Sequence, residues 1–353
     1  MRRIMKLKKF LFKHLSAIII LSAILMPGSL SSAKAARTSA YTARQTAQKN
    51  DSVKIRICAA GDCTLGVDSR YNSIFNEYYG RHGSGYFLNH VKKVFSKDDI
   101  TIVNLEGTFT DSTNRANKTF TFKGPASYVD ILKHGSVEIV NTANNHTFDF
   151  GSNGYSDTIK TLKDNKIKYC RNSKIAYQNV KGIKIAFLGF NQLEGITEAT
   201  VKETIEKAKS KGADLIITSF HWGIERSYYP NAAQESLARS AIDNGAALVL
   251  GHHPHVLQGI ERYKGRYIVY SLGNFCFGGN SNPSDKDTMI FRQTFTVKNH
   301  KVKKNKAIKV IPCSLSSVSY TNDFQPTILS GTEKTRVLDK IIGLSAGRGV
   351  QFQ

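Results

Sequence analysis

Cysteine is sparse and dispersed in this chain: Cys58, Cys63, Cys170, Cys276 and Cys313 are odd in number, and no two form a CxxC knuckle. That spacing excludes a thiolate zinc knuckle and leaves at least one thiol unpaired within the chain. Acidic residues are scarce too, 27 Asp and Glu against 50 Lys and Arg, which gives a formal charge of +23. The lysines are scattered and no compact basic-aromatic motif is present, so a solvated basic surface is expected and no nucleic-acid partner. No internal repeat of fixed period occurs, which sets aside repeat architectures.

What is present is a chain of 353 residues with 41% hydrophobic content, enough to bury a sizeable core as one large α/β domain or two small ones. Its first 35 residues stand apart. Arg2, Arg3, Lys6, Lys8, Lys9 and Lys13 precede the apolar stretch Leu15 to Met26, which is followed by Ala33-Lys34-Ala35. A charged start, an apolar middle too short to span a bilayer comfortably and a small-x-small site predict a secretory signal peptide cleaved before Ala36, or an uncleaved N-terminal anchor. Either way the protein is expected to be exported, to the outer face of the membrane, the cell wall or the medium. The leader holds seven Lys and Arg and no acid, so the remainder carries +16. A cationic exported protein is drawn to polyanions such as wall polymers, anionic headgroups or an acidic capsule polymer. Arg37 to Asp51, rich in Ser, Thr, Ala and Gln, reads as a linker.

From Val53 onward, apolar strands alternate with amphipathic helices. Strands are expected at Val53–Ala60, Ile100–Leu105, Val137–Val140, Ile183–Phe190, Asp214–Phe220 and Ala246–Leu250. Helices are expected at Gly85–Ser96, Pro125–His134, Gly154–Asn165, Glu198–Lys211 and Ala232–Asp243. Val256 to Ile260, Tyr267 to Leu272 and Met289 to Val297 suggest a second, mostly antiparallel sheet, and the last forty residues carry little signal.

The strands end in chemistry. The first runs into Gly61-Asp62, the second into Glu106-Gly107 and the third into Asn144-Asn145-His146, while the fifth ends in His221-Trp222 and the sixth in Gly251-His252-His253-Pro254-His255. Polar groups past the carboxyl ends of neighbouring parallel strands lie where α/β proteins bind ligands. Pro254 is expected to hold His253 extended, which would set His253 and His255 on one side of the loop. Taken singly, Asp62 reads as a turn residue, Asn145 as a cap, Glu106 as a surface acid and His221 as a packed histidine. Five strands each ending in a donor for a hard or borderline divalent ion point instead to a shared metal centre, provided that the strands neighbour each other in one sheet. Cys63, beside Asp62, is expected to be buried as a small apolar residue.

The set Gly61-Asp62, Val103-Asn104-Leu105-Glu106-Gly107, Asn144-Asn145-His146, His221, His253-Pro254-His255-Val256-Leu257-Gln258 and Tyr270-Ser271-Leu272-Gly273-Asn274-Phe275 resembles the calcineurin-like metallophosphoesterase pattern. In particular it resembles the bacterial CapA family, also called PgsA, of poly-γ-glutamate capsule synthesis, over about Val53 to Phe277. The resemblance implies an α/β fold, a four-layer α/β/β/α sandwich with two central mixed sheets. It implies a CapA-like domain over residues 53–320 and a C-terminal extension over 321–353. It implies two divalent ions (Mn, Zn or Fe) held by Asp62, Glu106, Asn145, His221, His253 and His255, with His146 as general acid or electrostatic stabiliser. Lys123 and Asn104 are candidates for gripping an anionic substrate. Thr64 stands where many such enzymes have His, and Glu106 where they have Asp, which puts ordinary phosphatase activity in question.

Three functions stay open on this reading. The first is an exported protein of capsule or anionic-polymer biosynthesis with a metal-dependent hydrolase-type site, acting on poly-γ-glutamate beside membrane synthase subunits. The second is a secreted metal-dependent phosphodiesterase or nucleotidase. The third is a non-catalytic polymer-binding assembly subunit.

Overall fold

The computed structural model describes residues 52–71, 74–304 and 306–352. The expected leader and the linker through Asp51 lie outside the described residues. The chain runs through β1 (Val53–Thr64), α1 (Phe75–His82), α2 (Asn89–Phe95), β2 (Ile100–Leu105), β3 (Thr108–Phe109), β4 (Lys123–Gly124), α3 (Val129–His134), β5 (Ile139–Asn141), α4 (Gly151–Asp164), β6 (Lys168–Cys170), β7 (Ala176–Val180) and β8 (Ile183–Asn191). It continues through α5 (Glu198–Ser210), β9 (Leu215–His221), α6 (Ala232–Asp243), β10 (Leu248–His252), β11 (Ile260–Tyr263), β12 (Arg266–Val269), β13 (Asn274–Phe277), β14 (Asp287–Lys298), β15 (Lys301–Val302), β16 (Ile308–Ser314), β17 (Thr327–Ile328) and α7 (Gly331–Leu344). No helix among the described residues is long and apolar enough to cross a membrane.

Two mixed sheets carry the α/β fold. The first has the order β17-β16-β14-β1-β2-β5-β6, with β13 also on β1 and β15 on β14; the second has the order β11-β12-β10-β9-β8-β7. One apolar core lies between them, drawing Ile55, Ile57, Ile100 and Ile102 from the first sheet and Phe187, Ile217, Leu248 and Leu250 from the second. A second core joins the other face of the first sheet to α1–α4, through Phe75, Val91, Phe95, Ile131 and Leu162. A third joins the second sheet to α5 and α6, through Val201, Ile205, Leu237 and Ala241. Strands covered on both faces read as continuous apolar runs, which is why β2, β9 and β10 are buried at every residue. The helices start where the sequence offers caps: Thr197 accepts from the Thr200 amide, and Asn231 with Gln234 forms a reciprocal capping box.

Three sequence expectations are corrected. The C-terminal strands do not make a separate antiparallel sheet: β12 joins the second sheet parallel to β10, whereas β14 lies antiparallel to β1 in the first. The strand ends come from two facing sheets, not one. The expected helix over Gly85–Ser96 is confined to α2, preceded by a turn, and α1 and α7 had no clear signal in the sequence. Val337, Ile341 and Leu344 of α7 close the core between the sheets. All five cysteines are unpaired, buried thiols, Cys63 among them.

Two glycines set how closely the strands approach. A Cβ on Gly61 would stand 1.9 Å from the Gly273 carbonyl oxygen, and one on Gly251 would stand 1.9 Å from the Tyr270 carbonyl oxygen and 2.7 Å from Trp222 Nε1. Each immediately precedes a cluster residue, Asp62 or His252, so backbone contact there sets the position of the side chain that follows. Gly251→Ala is expected to lower the unfolding free energy by about 3 kcal/mol in urea titrations followed by circular dichroism. Gly343→Ala, where nothing lies within 4 Å, should be neutral or stabilising by up to about 1 kcal/mol. Equal stability of the two variants would refute the close-approach argument.

Candidate metal centre

Parallel pairing sends β1, β2 and β5 of the first sheet out at one rim, with β8, β9 and β10 leaving the second sheet together beside them. The β1 register slips between Ala59 and Asp62 against β2 and between Asp62 and Thr64 against β13. Such irregularities re-aim a side chain at a sheet rim. Asp62 is fully buried. It accepts from Asn104 Nδ2 at 2.9 Å and from the His253 amide at 3.3 Å. Its oxygens lie 3.3 Å from His252 Nδ1 and 3.4 Å from His255 Nδ1. Burial pushes the Asp62 carboxyl up, but the His252 and His255 contacts outweigh it and hold the group well below the usual range.

Glu106 follows β2 and is pinned by its amide, which donates to the Cys63 carbonyl at 3.0 Å. Its side chain is also fully buried, yet neither carboxylate oxygen has a hydrogen-bond partner. Three imidazoles surround one of those oxygens: His146 Nε2 at 3.7 Å, His255 Nε2 at 3.8 Å and His221 Nε2 at 4.0 Å. Burial pushes this carboxyl up, to about 8. His221 sits low because burial disfavours its charged form, and His253 falls to about 4 by burial and the neighbouring His255. Those two rings are therefore neutral, which is the ligating form. Burial would lower His255 as well, but Glu106 and Asp62 raise it to about 10.

The donor geometry fits divalent ions. Ligand atoms of Glu106, His221 and His253 lie within 4.8 Å of one another, as do those of Asp62, Glu106 and His255, and those of Glu225, His253 and His255. Glu106 belongs to the first two sets and so stands between them. Asn145 Oδ1 reaches His221 Nε2 at 2.8 Å. The structure thus brings Asp62, Glu106, Asn145, His221, His253 and His255 together, with His146 beside them. A mixed nitrogen and oxygen set of this kind suits a hard or borderline divalent metal ion.

The loop carrying the histidines differs from its expectation. His253 has φ of +96° and His255 of +59°, so His253 is left-handed rather than extended before Pro254. The conformation costs on the order of 1–3 kcal/mol per residue. It is held by the His253 amide on Asp62, by the Arg226 amide on the Pro254 carbonyl at 2.8 Å and by the Trp222 amide on the His252 carbonyl at 3.1 Å.

Two expected substrate residues are placed differently. Lys123 donates to the Ser112 carbonyl at 2.6 Å and lies over the Phe150 ring at 4.8 Å, away from the cluster. Asn104 is buried and fully engaged: its amide holds Asp62, and its oxygen accepts from Asn141 at 3.0 Å and Asn144 at 3.2 Å. It orients Asp62 and does not face an open surface.

Sequence reasoning missed several members of the site. Lys118, not Lys123, brings an ammonium to the site, donating to the Asn145 carbonyl and to Asp149, each at 2.8 Å. Asp149 in turn holds His146 Nδ1 at 2.7 Å, a pairing that its place three residues after His146 could have suggested. His252 contributes from the end of β10, where its neighbours His253 and His255 drew attention away. Beside the cluster lies a cavity of about 160 Å³ lined by His146 and His255, by the aromatic Phe120, Phe122 and Phe277, and by the exposed Glu225 and Arg226. Asp68 ties the cavity's aromatic loop down, accepting from Arg115 at 2.8 Å and from the Thr121 amide at 2.9 Å.

The family model described as bacterial capsule synthesis protein PGA_cap matches residues 56–279. The chain is 34% identical over 252 residues to the capsule biosynthesis protein CapA of Bacillus anthracis, covering 64% of this chain and 60% of that protein. It is 34% identical over 241 residues to the PGA biosynthesis protein CapA of Bacillus subtilis (strain 168), covering 62% of each. The chain therefore spans about three fifths of the length of these curated relatives. Among solved structures, a 5'-nucleotidase from Candida albicans SC5314 aligns at 12% identity with a TM-score of 0.45, over 82% of this chain and 56% of that one.

Asn104→Ala is expected to weaken divalent-metal binding about 10–100-fold, as loss of a group that orients a ligand does, measured by calorimetry with Mn²⁺ and Zn²⁺; unchanged affinity would sink its positioning role. Burial raises the Asp68 carboxyl, but Arg70, the Arg70 and Thr121 amides and Arg115 hold it well below the usual range. A depressed folded-state value contributes stability that is full above the unfolded value near 3.9 and is lost as pH falls below it. Asp68→Asn should therefore cost about 2 kcal/mol at pH 7, with the difference from the parent shrinking below about pH 4. A difference that grows in acid would contradict this assignment.

Proposed function

Because the chain belongs to the bacterial capsule synthesis (PGA_cap, CapA) family, we propose that it is an exported protein of poly-γ-glutamate capsule biosynthesis whose site is a two-cation, hydrolase-type centre acting on the polymer. The observation that carries the catalytic part is the Glu106 carboxylate, buried, without a hydrogen-bond partner and ringed by imidazoles. Asp62, Glu106 and His255 would hold one cation; Glu106, Asn145, His221 and His253 would hold the other. Two divalent ions held this way supply Lewis-acid polarisation of an acyl or phosphoryl centre and neutralise charge that develops on it.

The remaining steps belong to side chains. Asp149 fixes the ring of His146 by accepting at Nδ1, which leaves Nε2, 3.7 Å from Glu106 at the rim of the cluster, to take a proton from the attacking water and pass it to the leaving group. Lys118 keeps Asp149 paired and so holds that tautomer. Arg226, in the cavity lining, offers a guanidinium to an anionic substrate. The basic surface, +16 beyond the leader, favours a polyanion outside the cell, and membrane synthase subunits are the expected partners.

His146→Ala should reduce turnover about 10²–10⁴-fold and leave metal content unchanged, whereas Asp62→Ala/His253→Ala should abolish metal content as read by plasma mass spectrometry. The substrates to compare are poly-γ-glutamate and a generic phosphodiester with Mn²⁺. Turnover of the phosphodiester alone would favour the phosphodiesterase reading. Capsule formation undiminished in a strain carrying the double variant would overturn the catalytic reading in favour of an assembly subunit.

A further inference from the structure

We propose that the groove where the two sheets end at β6 and β7 is a track for an extended polycarboxylate chain, separate from the metal centre. β6 is the last strand of the first sheet and β7 the last of the second. The groove between them has a volume of about 460 Å³ and is lined by Lys163, Lys166, Lys168 and Lys174 with Tyr169 and Tyr177; no Asp or Glu lines it, and it shares no residue with the cavity beside the cluster. Residues 160–184 contain eight Lys and Arg and one acid, Asp164. That acid is occupied by Lys160 at 2.5 Å. The four groove lysines are exposed, and neither Lys163 nor Lys166 forms an ion pair among the described residues.

The chemistry of the lining selects the partner. A row of ammonium groups without counter-charges gathers a polyanion by releasing its counterions, and the effect is strongly salt-dependent. Single-stranded nucleic acid would need free aromatic faces for its bases. Here the tyrosine rings already carry cations: Lys174 lies over Tyr169 at 5.6 Å and Lys184 over Tyr177 at 5.0 Å. The lining has no arginine, the side chain whose planar fork matches phosphate. What remains is a set of compact point charges suited to singly charged groups spaced along a flexible chain. Edge strands also carry lysine simply to prevent strand pairing, and that simpler role predicts no binding. The identity of the anion rests on the capsule-polymer reading above, whereas the groove itself does not.

The test uses the full chain and fluorescently labelled poly-γ-glutamate, with anisotropy followed across a NaCl series. Lys163→Gln/Lys166→Gln/Lys168→Gln/Lys174→Gln is compared with the equal charge change Lys92→Gln/Lys93→Gln/Lys207→Gln/Lys209→Gln, both checked for fold by circular dichroism. The groove variant is expected to bind about tenfold or more weakly at low salt and to show a shallower salt dependence, with the control within about threefold of the parent. The groove variant should keep the metal content of the parent, as read by plasma mass spectrometry, so a failed metal chemistry would leave this result standing. Equal losses in both quadruple variants, or binding by the groove variant as tight as by the parent, would overturn the track. Tighter binding of a single-stranded oligonucleotide or of polyphosphate through the same lysines would overturn the carboxylate assignment.

Discussion

Two carboxylates, Asp62 and Glu106, are buried where the rims of two sheets face each other, and only Asp62 has hydrogen-bond donors of its own. An isolated ionised carboxylate without partners in such a place costs several kcal/mol. The protein answers with imidazoles, three of which stand about 4 Å from a single Glu106 oxygen. Burial leaves His221 and His253 neutral, so they offset little of that charge. A divalent cation among these donors would balance the arrangement; without one, burial favours the protonated form of Glu106.

Much of the surrounding structure serves to hold these groups still. The Asn104, Asn141 and Asn144 side chains form a buried chain of amides whose end orients Asp62. Strain in the His253–His255 turn is offset by three hydrogen bonds, one to the Asp62 side chain and two to Trp222 and Arg226 in the connection after β9. On the far side, Asp68 collects Arg70, Arg115 and the Thr121 amide, and so anchors the loop that presents Lys118, Phe120 and Phe122. A site shared by two sheets requires such ties, because neither sheet alone fixes the distance between their rims.

The central strands and the donors at their ends were legible in the sequence because both follow from local pattern. A run such as Leu248–Leu250 between Ala-rich and Gly-His segments reads as an inner strand, and a side chain that follows such a strand emerges at the rim. The edge elements were less legible. The strands after residue 256 have short alternating patterns that say nothing of which sheet they join, and β12 and β14 went to different ones. Lys118 and Lys123 lie in the same polar connection, and nothing in their spacing distinguishes the lysine that reaches Asp149 from the one that folds back onto Ser112.

By itself, then, the sequence determined that a mixed α/β chain would end several strands in oxygen and nitrogen donors, and that pattern together with its glycines marked the capsule-synthesis family. The tertiary structure alone decided that those donors come from two sheets, that Asn104 orients rather than binds, and that the lysine-rich stretch 163–174 lines a groove where β6 and β7 end. Strand periodicity is a property of neighbouring residues, whereas the pairing of sheets, and with it the distance between Glu106 and His221, depends on packing between segments more than a hundred residues apart.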